Sequence, residues 1–211
     1  MNRSLRRSWS DAATASRSAD RPHVIQNGTM QIAAVILAAG ASTRFGSPKQ
    51  AARFGERTML EAVVAVAEAA GLHPVIAVVP SGVAVPRDVL RAINDDPAAG
   101  MSQSLRLGLA AVGMDVDGAV ILLGDQPTLD PSVIRRLLSD GGGRPVVAAH
   151  AEGRIGPPVL IRRAAFALAD DATRDDGLRK VLASHPELVT MIPVAAHAPD
   201  VDTPGDLERL A

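Results

Sequence analysis

The sequence predicts an α/β protein built on a three-layer, doubly wound, mostly parallel sheet. Two observations support this prediction. Short apolar runs alternate with helix-like segments along most of the chain, and each run is apolar at nearly every position. A strand that is apolar on both sides must be covered on both faces, as in a sheet with helices above and below it. Alternating strands and helices then favour parallel neighbours joined by right-handed crossovers.

The early elements follow this pattern in order. The first strand is predicted at 32–37 (IAAVIL), and a helix at 59–70 comes next. Thr58 stands where an N-cap is expected, and Gly71 stands where the helix should stop. The next predicted elements are, in chain order, a strand at 74–79, helices at 86–93 and 102–112, and a strand at 118–123.

The later elements are shorter and less regular. A helix at 131–139 is predicted because Asp130 can cap it and Pro131 suits its first turn. In sheets of this kind ligands bind beyond the carboxyl ends of the strands, so the loops that follow 37, 123 and 194 are where chemistry is expected. The remaining predictions are strands at 145–149, 157–161 and 188–194, and helices around 166–168, at 178–183 and at 206–210.

The chain of 211 residues is expected to form one domain, because this length supports a single sizeable core. Residues 1–30 differ from the rest, since they are rich in Arg and Ser and show no apolar periodicity. We expect them to form a disordered basic tail, with a functional basic arm as the alternative. Residues 31–211 are then the single folded domain.

Composition excludes several classes of protein. The chain has no cysteine, so disulfides, thiolate nucleophiles and cysteine-bound metals are excluded. The formal net charge is -1 and aromatic residues make up 2%, which argues against nucleic acid as a partner. No apolar run could span a bilayer, and the first residues lack the apolar core of a secretory signal. We therefore expect a cytoplasmic protein that has neither nucleic acid nor a membrane as a partner.

The loop after the first strand carries the strongest local signal (VILAAGASTRFGSPKQ, 35–50). Its small residues let backbone N–H groups approach a ligand, and Arg44 and Lys49 add positive charge, so the loop predicts a polyphosphate site. It is neither a P-loop nor the dinucleotide pattern GxGxxG. A plain strand-to-helix turn with two exposed cations is the alternative. The predicted nucleotide contacts here are Leu37, Ala38, Ala39, Gly40, Ala41, Ser42, Arg44 and Lys49.

Asp125 follows the apolar strand 118–123 at the edge where ligands bind. A carboxylate in that position is costly unless it meets a cation, and Mg²⁺ that bridges nucleotide phosphates is the expected one. The alternative is a turn or capping residue, since Pro127 and Thr128 follow.

Four segments together resemble the MobA-like nucleotidyltransferases. The loop LAAGASTRFGSPK is similar to that family's first signature, and it is followed in the expected order by NDDPAAGMSQSLRLGL (94–109), AVILLGDQP (119–127) and DVDTPGDL (200–207). These segments extend over nearly all of residues 31–211. Within the family, L-A-A-G and G-D-Q-P are closest to the molybdenum cofactor cytidylyltransferase branch, whereas the guanylyltransferase branch usually has L-A-G-G and C-D-x-P.

The resemblance implies a Rossmann-like nucleotidyltransferase fold and assigns roles to several residues. Arg44, Lys49 and Asp125 would be catalytic, and Mg²⁺ would lie between Asp125 and Asp202. Asp200 is the alternative second ligand, and helix capping is the competing role for the segment around Asp202. In GMSQSLRLG, Ser102 and Ser104 would bind the nucleotide base through their hydroxyls, with simple N-capping as the alternative for either one.

The resemblance also implies a reaction. CMP would pass from CTP to the phosphate of a molybdopterin-type cofactor, with release of pyrophosphate. The partners are then a nucleoside triphosphate and a phosphorylated acceptor, and the resemblance allows a molybdoenzyme that receives the finished cofactor. No general base is required if the acceptor phosphate is already ionised. The scattered histidines, His73, His150, His185 and His197, lie in predicted loops and are expected to be solvated.

The acceptor half departs from the branch. The branch usually has G-H-P before a late strand, whereas this chain has Gly156, Pro157 and Pro158, and Asp175 stands where Gly is usual. Gln126, Gly156, Pro157 and Pro158 are the predicted acceptor contacts. Because of these departures, a nucleotidyltransferase that acts on a sugar or polyol phosphate is one alternative. An oxidoreductase that uses NAD(P)H on the same fold is another.

Overall fold

The computed structural model describes residues 30–42, 44–173 and 177–211. In these residues the main sheet has seven strands, in the order β5–β4–β1–β6–β8–β7–β9, which confirms the predicted mostly parallel α/β fold. The tail predicted over residues 1–30, apart from Met30, lies outside the described residues, and so does Asp175. The strands of the main sheet are β1 Ile32–Leu37, β4 Val75–Val79, β5 Leu90–Ile93, β6 Gly118–Leu123, β7 Val146–Ala151, β8 Arg154–Arg162 and β9 Val189–Pro193.

The strand register determines where the loops emerge. β1 lies between β4 and β6 and is parallel to both, with Leu37 paired to Leu123. β8 is antiparallel to both β6 and β7, while β9 is parallel to β7. Because β1 and β6 end side by side, the loops that follow them leave the sheet at the same edge. A short hairpin of β2 (Arg53–Phe54) and β3 (Arg57–Thr58), absent from the sequence predictions, stands apart from the main sheet.

The described residues form five α-helices, and four of them cover the two faces of the sheet. Alternate residues of β1 point into two separate cores: Ala34 and Ile36 pack with α1 and α3, and Ala33 and Val35 pack with α2 and α4. This division gives the three layers that the sequence predicts. None of the described helices is long and apolar enough to cross a bilayer. The helices are α1 Met59–Ala69, α2 Met101–Ala110, α3 Pro131–Asp140, α4 Gly177–Ser184 and α5 Pro204–Leu210.

The prediction of a helix at 86–93 is wrong. Only Leu90–Ile93 is regular, and it forms the edge strand β5 parallel to β4. The segment fits helical spacing and starts with Pro, but the open edge of β4 offers a ladder of backbone hydrogen bonds that the isolated pattern cannot reveal. The two large apolar side chains Leu90 and Ile93 remain exposed, as is common on an edge strand with one neighbour.

The other differences between prediction and structure concern the kind of one helix and the first residues of two elements. The helix expected around 166–168 is a 3₁₀ helix, Arg163–Ala169, and the last helix starts at Pro204 instead of residue 206. β8 begins at Arg154, three residues before the predicted start at 157. Its register with β7 shifts between Ala148 and Ala149, so that Pro157 and Pro158 have no direct partner in that ladder. Proline cannot donate a ladder hydrogen bond, so an irregular position suits it.

Candidate active site

The loop after β1 folds back on itself so that its end meets the loop after β6. Gln50 is 3% exposed, and its amide Nε2 donates a hydrogen bond to the carbonyl oxygen of Ala38. The backbone N–H of Lys49 donates to Ser42 Oγ at 3.3 Å. Ser42 has a positive φ of 51°, which turns the chain at this point. These contacts fix Lys49 at the start of a short 3₁₀ helix, Lys49–Ala51.

Four predicted site residues meet in one cluster of charges. Lys49 Nζ lies 2.7 Å from Asp125 Oδ2 and 3.5 Å from Asp202 Oδ1. Arg44 Nη2 lies 3.0 Å from Asp202 Oδ2. The Lys49 side chain is 14% exposed and that of Asp125 is 22%, whereas the Arg44 side chain is 70% exposed. The buried pair is therefore screened less by solvent than the Arg44–Asp202 pair at the rim.

Backbone contacts hold the two acidic loops together. The N–H of Val201 donates to the carbonyl oxygen of Asp125 at 2.8 Å, and Lys49 Nζ donates to the carbonyl oxygen of Val201 at 3.3 Å. Asp202 precedes Thr203, whose side chain caps α5 in a reciprocal arrangement with Asp206. Capping is thus done by Thr203, and the Asp202 carboxylate is left to face Lys49 and Arg44.

The donor set at this cluster fits a hard divalent cation. Asp125 Oδ1 is buried and has no hydrogen-bond partner among the described residues, although its Oδ2 is paired with Lys49. A buried carboxylate oxygen without a partner is costly, and a cation would satisfy it. No group of three or more His or acidic side chains suited to a metal occurs in the described part of the chain. A divalent cation held by Asp125 and Asp202 would therefore need substrate phosphates and water to complete its coordination.

Asp200, the alternative second ligand, is held differently. Its Oδ1 accepts a hydrogen bond from Gln126 Nε2 at 3.0 Å, and it makes no ion pair with Lys49 or Arg44 within the described residues. Although the residue is exposed overall, desolvation of the carboxylate and then the negative charge of Asp125 raise its pKa above the ordinary value. Asp202 adds to this effect, and Gln126 and Lys49 oppose it. The geometry therefore favours Asp202 as the partner of Asp125.

A cavity of about 310 Å³ lies beside the cluster. Gly124 forms part of its wall, and a Cβ there would lie 2.6 Å from Ala38 Cβ, so only glycine lets the loops after β1 and β6 approach this closely. The cavity joins the glycine-rich loop to the start of α2. Its lining residues are Leu37, Ala38, Ala39, Gly40, Ala41, Lys49, Gln50, Pro97, Gly100, Met101, Ser104, Leu123, Gly124 and Asp125.

The two serines predicted to bind the base are separated by the structure. Ser104 lines this cavity, and its Oγ accepts a hydrogen bond from Asn94 Nδ2 at 2.9 Å. Ser102 is 1% exposed and does not line the cavity; its Oγ donates to the carbonyl oxygen of Ala99 at 3.5 Å. The N-cap of α2 is Gly100 and no side chain caps this helix, so Ser102 neither lines the cavity nor caps the helix. Asn94 and Gln50 were not predicted as site residues. Asn94 is the first residue of the segment 94–109 that resembles the family, so the resemblance could have indicated it, whereas nothing in the local sequence distinguishes Gln50.

A second cavity, of about 490 Å³, adjoins the first and shares Leu37, Met101 and Leu123 with it. Three predicted acceptor residues, Gln126, Gly156 and Pro157, line it. Pro158 is buried and does not. The other polar groups in the wall are Glu152, Arg154, Arg179, His197 and Asp200, and the apolar ones include Leu105, Ile121, Ile155 and Val159.

His197 corrects the expectation that the scattered histidines are solvated. It is half-buried, and its ring lies against Gly156, where a Cβ would be 2.9 Å from Cε1. The contact joins residues that are far apart in the chain, so no local signal could have revealed it. Sequence reasoning therefore missed this member of the second cavity.

The fold and the site define a class of protein. A glycine-rich loop, two cations and two carboxylates meet at the carboxyl edge of a mostly parallel sheet, beside two adjoining cavities. This is an α/β enzyme equipped to bind nucleotide phosphates next to a second ligand. A family model described as the MobA-like NTP transferase domain matches residues 34–189, and the chain belongs to this family. Membership decides between the two enzyme classes that the sequence left open: the chain is a nucleotidyltransferase.

Two solved structures and one curated protein are similar to this chain. The crystal structure of Rv0371c from Mycobacterium tuberculosis H37Rv matches with a TM-score of 0.75 and 30% identity, covering 87% of this chain and 98% of that one. A crystal structure of Rv0371c in complex with manganese matches with a TM-score of 0.72 and 30% identity, covering 86% and 98%. The bifunctional protein GlmU of Micrococcus luteus is 30% identical over 151 residues, which are 63% of this chain and 30% of that protein. The chain thus spans less than a third of this curated relative's length.

Proposed function

We propose that this nucleotidyltransferase uses Mg²⁺ to move CMP from CTP to the phosphate of a molybdopterin-type cofactor, with release of pyrophosphate. The observation that carries the proposal is the pair of adjoining cavities with the charge cluster beside them. Asp125 lines the smaller cavity and the next residue, Gln126, lines the larger one. Two ligands bound there would have their reacting phosphates close to Lys49 and Asp125.

In the proposed reaction an oxygen of the acceptor phosphate attacks the α-phosphorus of CTP. A new phosphorus–oxygen bond forms, the bond between the α-phosphorus and the bridging oxygen breaks, and pyrophosphate leaves with the negative charge. Lys49 and Arg44 would neutralise the triphosphate and stabilise the leaving charge. Mg²⁺ held by Asp125 and Asp202 would add positive charge on the phosphates. An ionised acceptor phosphate needs no base to remove a proton.

Three further features support the finer parts of the proposal. The L-A-A-G loop places a methyl group, that of Ala39, in the wall of the smaller cavity, where the guanine-using branch has Gly. The larger cavity is within the size range of pockets that take a bulky cyclic ligand. Rv0371c, 30% identical to this chain, has been crystallised with manganese, which favours a divalent cation here too. A molybdoenzyme that receives the finished cofactor is the partner we expect.

The proposal is tested by pyrophosphate release. The purified chain is incubated with CTP, GTP, ATP or UTP, with Mg²⁺ or Mn²⁺, and with either molybdopterin cofactor or a panel of sugar and polyol phosphates. We expect the highest kcat/KM with CTP and the molybdopterin-type acceptor, and no release after chelation of the metal. Turnover restricted to a sugar or polyol phosphate would overturn the proposed acceptor. This second candidate is favoured by Pro157, which stands where the cytidylyltransferase branch has His.

A further inference from the structure

Two residues that line the larger cavity, Gln126 and His197, each carry a buried hydrogen-bond acceptor that has no partner in the described residues: Gln126 Oε1 and His197 Nδ1. They come from different loops, one after β6 and the other after β9. Most buried polar atoms in folded proteins are paired, so an unpaired one points to a missing partner. Two of them around one cavity indicate a ligand that donates hydrogen bonds.

Both hydrogens of the Gln126 amide nitrogen already have hydrogen-bond acceptors within the protein. The residue is 4% exposed, and Nε2 donates to the carbonyl oxygen of Ala198 at 3.1 Å and to Asp200 Oδ1 at 3.0 Å. An amide nitrogen has two hydrogens, and both are used. Rotating the amide by 180° would turn its oxygen towards two acceptors, so the observed orientation is fixed. Only the acceptor Oε1 remains for a ligand.

The His197 ring is oriented by the same reasoning. Its Nε2 lies 3.3 Å from the carbonyl oxygen of Arg154, and a carbonyl oxygen can only accept, so Nε2 carries the hydrogen. In the neutral imidazole the other nitrogen, Nδ1, is then an acceptor. Gly156 leaves room for the ring, because a Cβ there would lie 2.9 Å from Cε1 and 3.1 Å from Nδ1. The cytidylyltransferase branch has His at the position of Pro157. In this chain an imidazole does lie beside Gly156, but it belongs to His197.

We propose that His197 is a specificity-determining residue for the acceptor, and that its Nδ1 and Gln126 Oε1 accept hydrogen bonds from N–H groups of a planar heteroaromatic head. The apolar part of the same cavity wall, which includes Ile121, Ile155 and Val159, suits the faces of a flat ring. A polyol is polar all round and would leave this wall poorly covered. The inference rests on the proposed function, because it gives the chemistry by which the larger cavity recognises the acceptor.

The test measures binding and turnover separately. A pterin monophosphate serves as the heteroaromatic probe and glycerol 3-phosphate as the polyol probe, each titrated calorimetrically into the full chain. His197→Phe keeps a ring but removes Nδ1, His197→Asn keeps an acceptor, and Gly156→Ala pushes the ring aside. His73→Phe replaces an exposed histidine outside both cavities and serves as the matched control. The Tm of every variant is compared with that of the parent.

We expect His197→Phe to weaken binding of the pterin monophosphate about tenfold, as for the loss of one hydrogen bond in a buried site. Gly156→Ala should act in the same direction, His197→Asn should restore most of the affinity, and His73→Phe should change nothing. The KM for CTP should stay within about twofold in all four variants, because the smaller cavity is not altered.

Three results would overturn the inference, and they are distinguishable. If the parent binds the pterin probe and turns over the molybdopterin-type acceptor, but His197→Phe does so equally well, His197 does not select the acceptor and the proposed function stands. If the parent binds only glycerol 3-phosphate, both the inference and the proposed acceptor fail. An equal rise in the KM values for CTP and acceptor would show a purely structural role for the ring.

Discussion

Lys49 and Asp125 form the most protected charge pair of the site, with 2.7 Å between Nζ and Oδ2. The Asp125 carboxylate has a second, unpartnered oxygen, and this is the atom we assign to the proposed metal. Asp125→Asn keeps the size of the side chain and removes its charge. We expect kcat to fall about 100-fold or more, while the fold survives because Lys49 keeps Asp202 and the Val201 carbonyl as partners.

The measurement for Asp125→Asn is pyrophosphate release at saturating CTP, together with the Tm. Asp130→Asn is the matched control: Asp130 caps α3 a few residues further along the chain, and Asn caps a helix about as well as Asp. This control should keep the activity of the parent. Turnover of Asp125→Asn within a few-fold of the parent would mean that Asp125 is a turn residue.

Ala39 offers a test of base selection. It is 4% exposed, packs in the same core as Val35 and Leu105, and lines the smaller cavity. We expect its methyl group to narrow the cavity against the second ring of a purine. We expect the parent to prefer CTP over GTP, and Ala39→Gly to reduce that preference about tenfold in relative kcat/KM. Pyrophosphate release with CTP, GTP, ATP and UTP and one acceptor measures it. An unchanged ratio, or a parent that prefers GTP, would mean that the base is selected elsewhere.

Helix α1 begins with a capping box, in which Thr58 and Glu61 each bond the backbone N–H of the other. Thr58 Oγ1 accepts from the N–H of Glu61 at 3.2 Å, and Glu61 Oε2 accepts from the N–H of Thr58 at 2.6 Å. Seven residues of this helix are buried against the sheet, so its stability is coupled to the core. We expect Thr58→Ala to lower the free energy of unfolding by about 0.5–2 kcal/mol, measured by urea denaturation.

The same capping box gives a prediction about pH. The hydrogen bonds from the Thr58 backbone and then from its side chain hold the pKa of Glu61 below the ordinary value of 4.5. A lowered folded-state pKa stabilises the fold above the unfolded-state value, and this stabilisation disappears as pH falls through the folded-state pKa. Glu61→Gln should therefore be less stable than the parent at pH 7, and the difference should shrink towards pH 3.

The matched control is Glu68→Gln, which changes an exposed carboxylate near the other end of α1. It should show little difference from the parent at either pH. A Glu61→Gln difference that stays constant or grows at low pH would contradict the assigned role of the Glu61 carboxylate.

At the scale of the whole molecule, ligand binding should raise the free energy of unfolding and therefore the Tm. The loops after β1 and β6, together with the loop before α5, meet at the charge cluster, so a ligand there links distant parts of the chain. At 100 times its Kd, a ligand that binds only the folded state adds about 2.7 kcal/mol. For a domain of this size that corresponds to a rise in Tm of about 5–10 °C. We expect this rise with CTP and Mg²⁺.

The thermal measurement compares CTP and Mg²⁺ with two other conditions, CTP with a chelator and NADPH. CTP with a chelator should give a much smaller rise than CTP with Mg²⁺, because the triphosphate then lacks its counter-charge. NADPH should give none. An equal rise with and without the metal would contradict the proposed role of Asp125 and Asp202, and a rise with NADPH would contradict nucleotide selection by the smaller cavity.

The sequence by itself determined the parts that depend on neighbouring residues. Buried strands, capped helices and the glycine-rich loop have local patterns, so their positions could be predicted, and parallel strands then bring the loops after Leu37 and Leu123 to the same edge. The family pattern added Asp202, and the structure brings this residue together with Arg44, Lys49 and Asp125. The interactions that favour a strand, a cap or a turn join residues only a few positions apart, so short segments of sequence are enough to predict them.

Only the tertiary structure decided which side chains face the cavities. Leu90–Ile93 forms an edge strand because β4 has an open ladder of backbone hydrogen bonds. Ser104, and not Ser102, lines the smaller cavity, because residues two positions apart on α2 do not share a face. His197 meets Gly156 because β9 lies two strands from β8 in the sheet. Such contacts join segments far apart in the chain. Their free energy depends on register and packing between elements, and no short stretch of sequence contains that information.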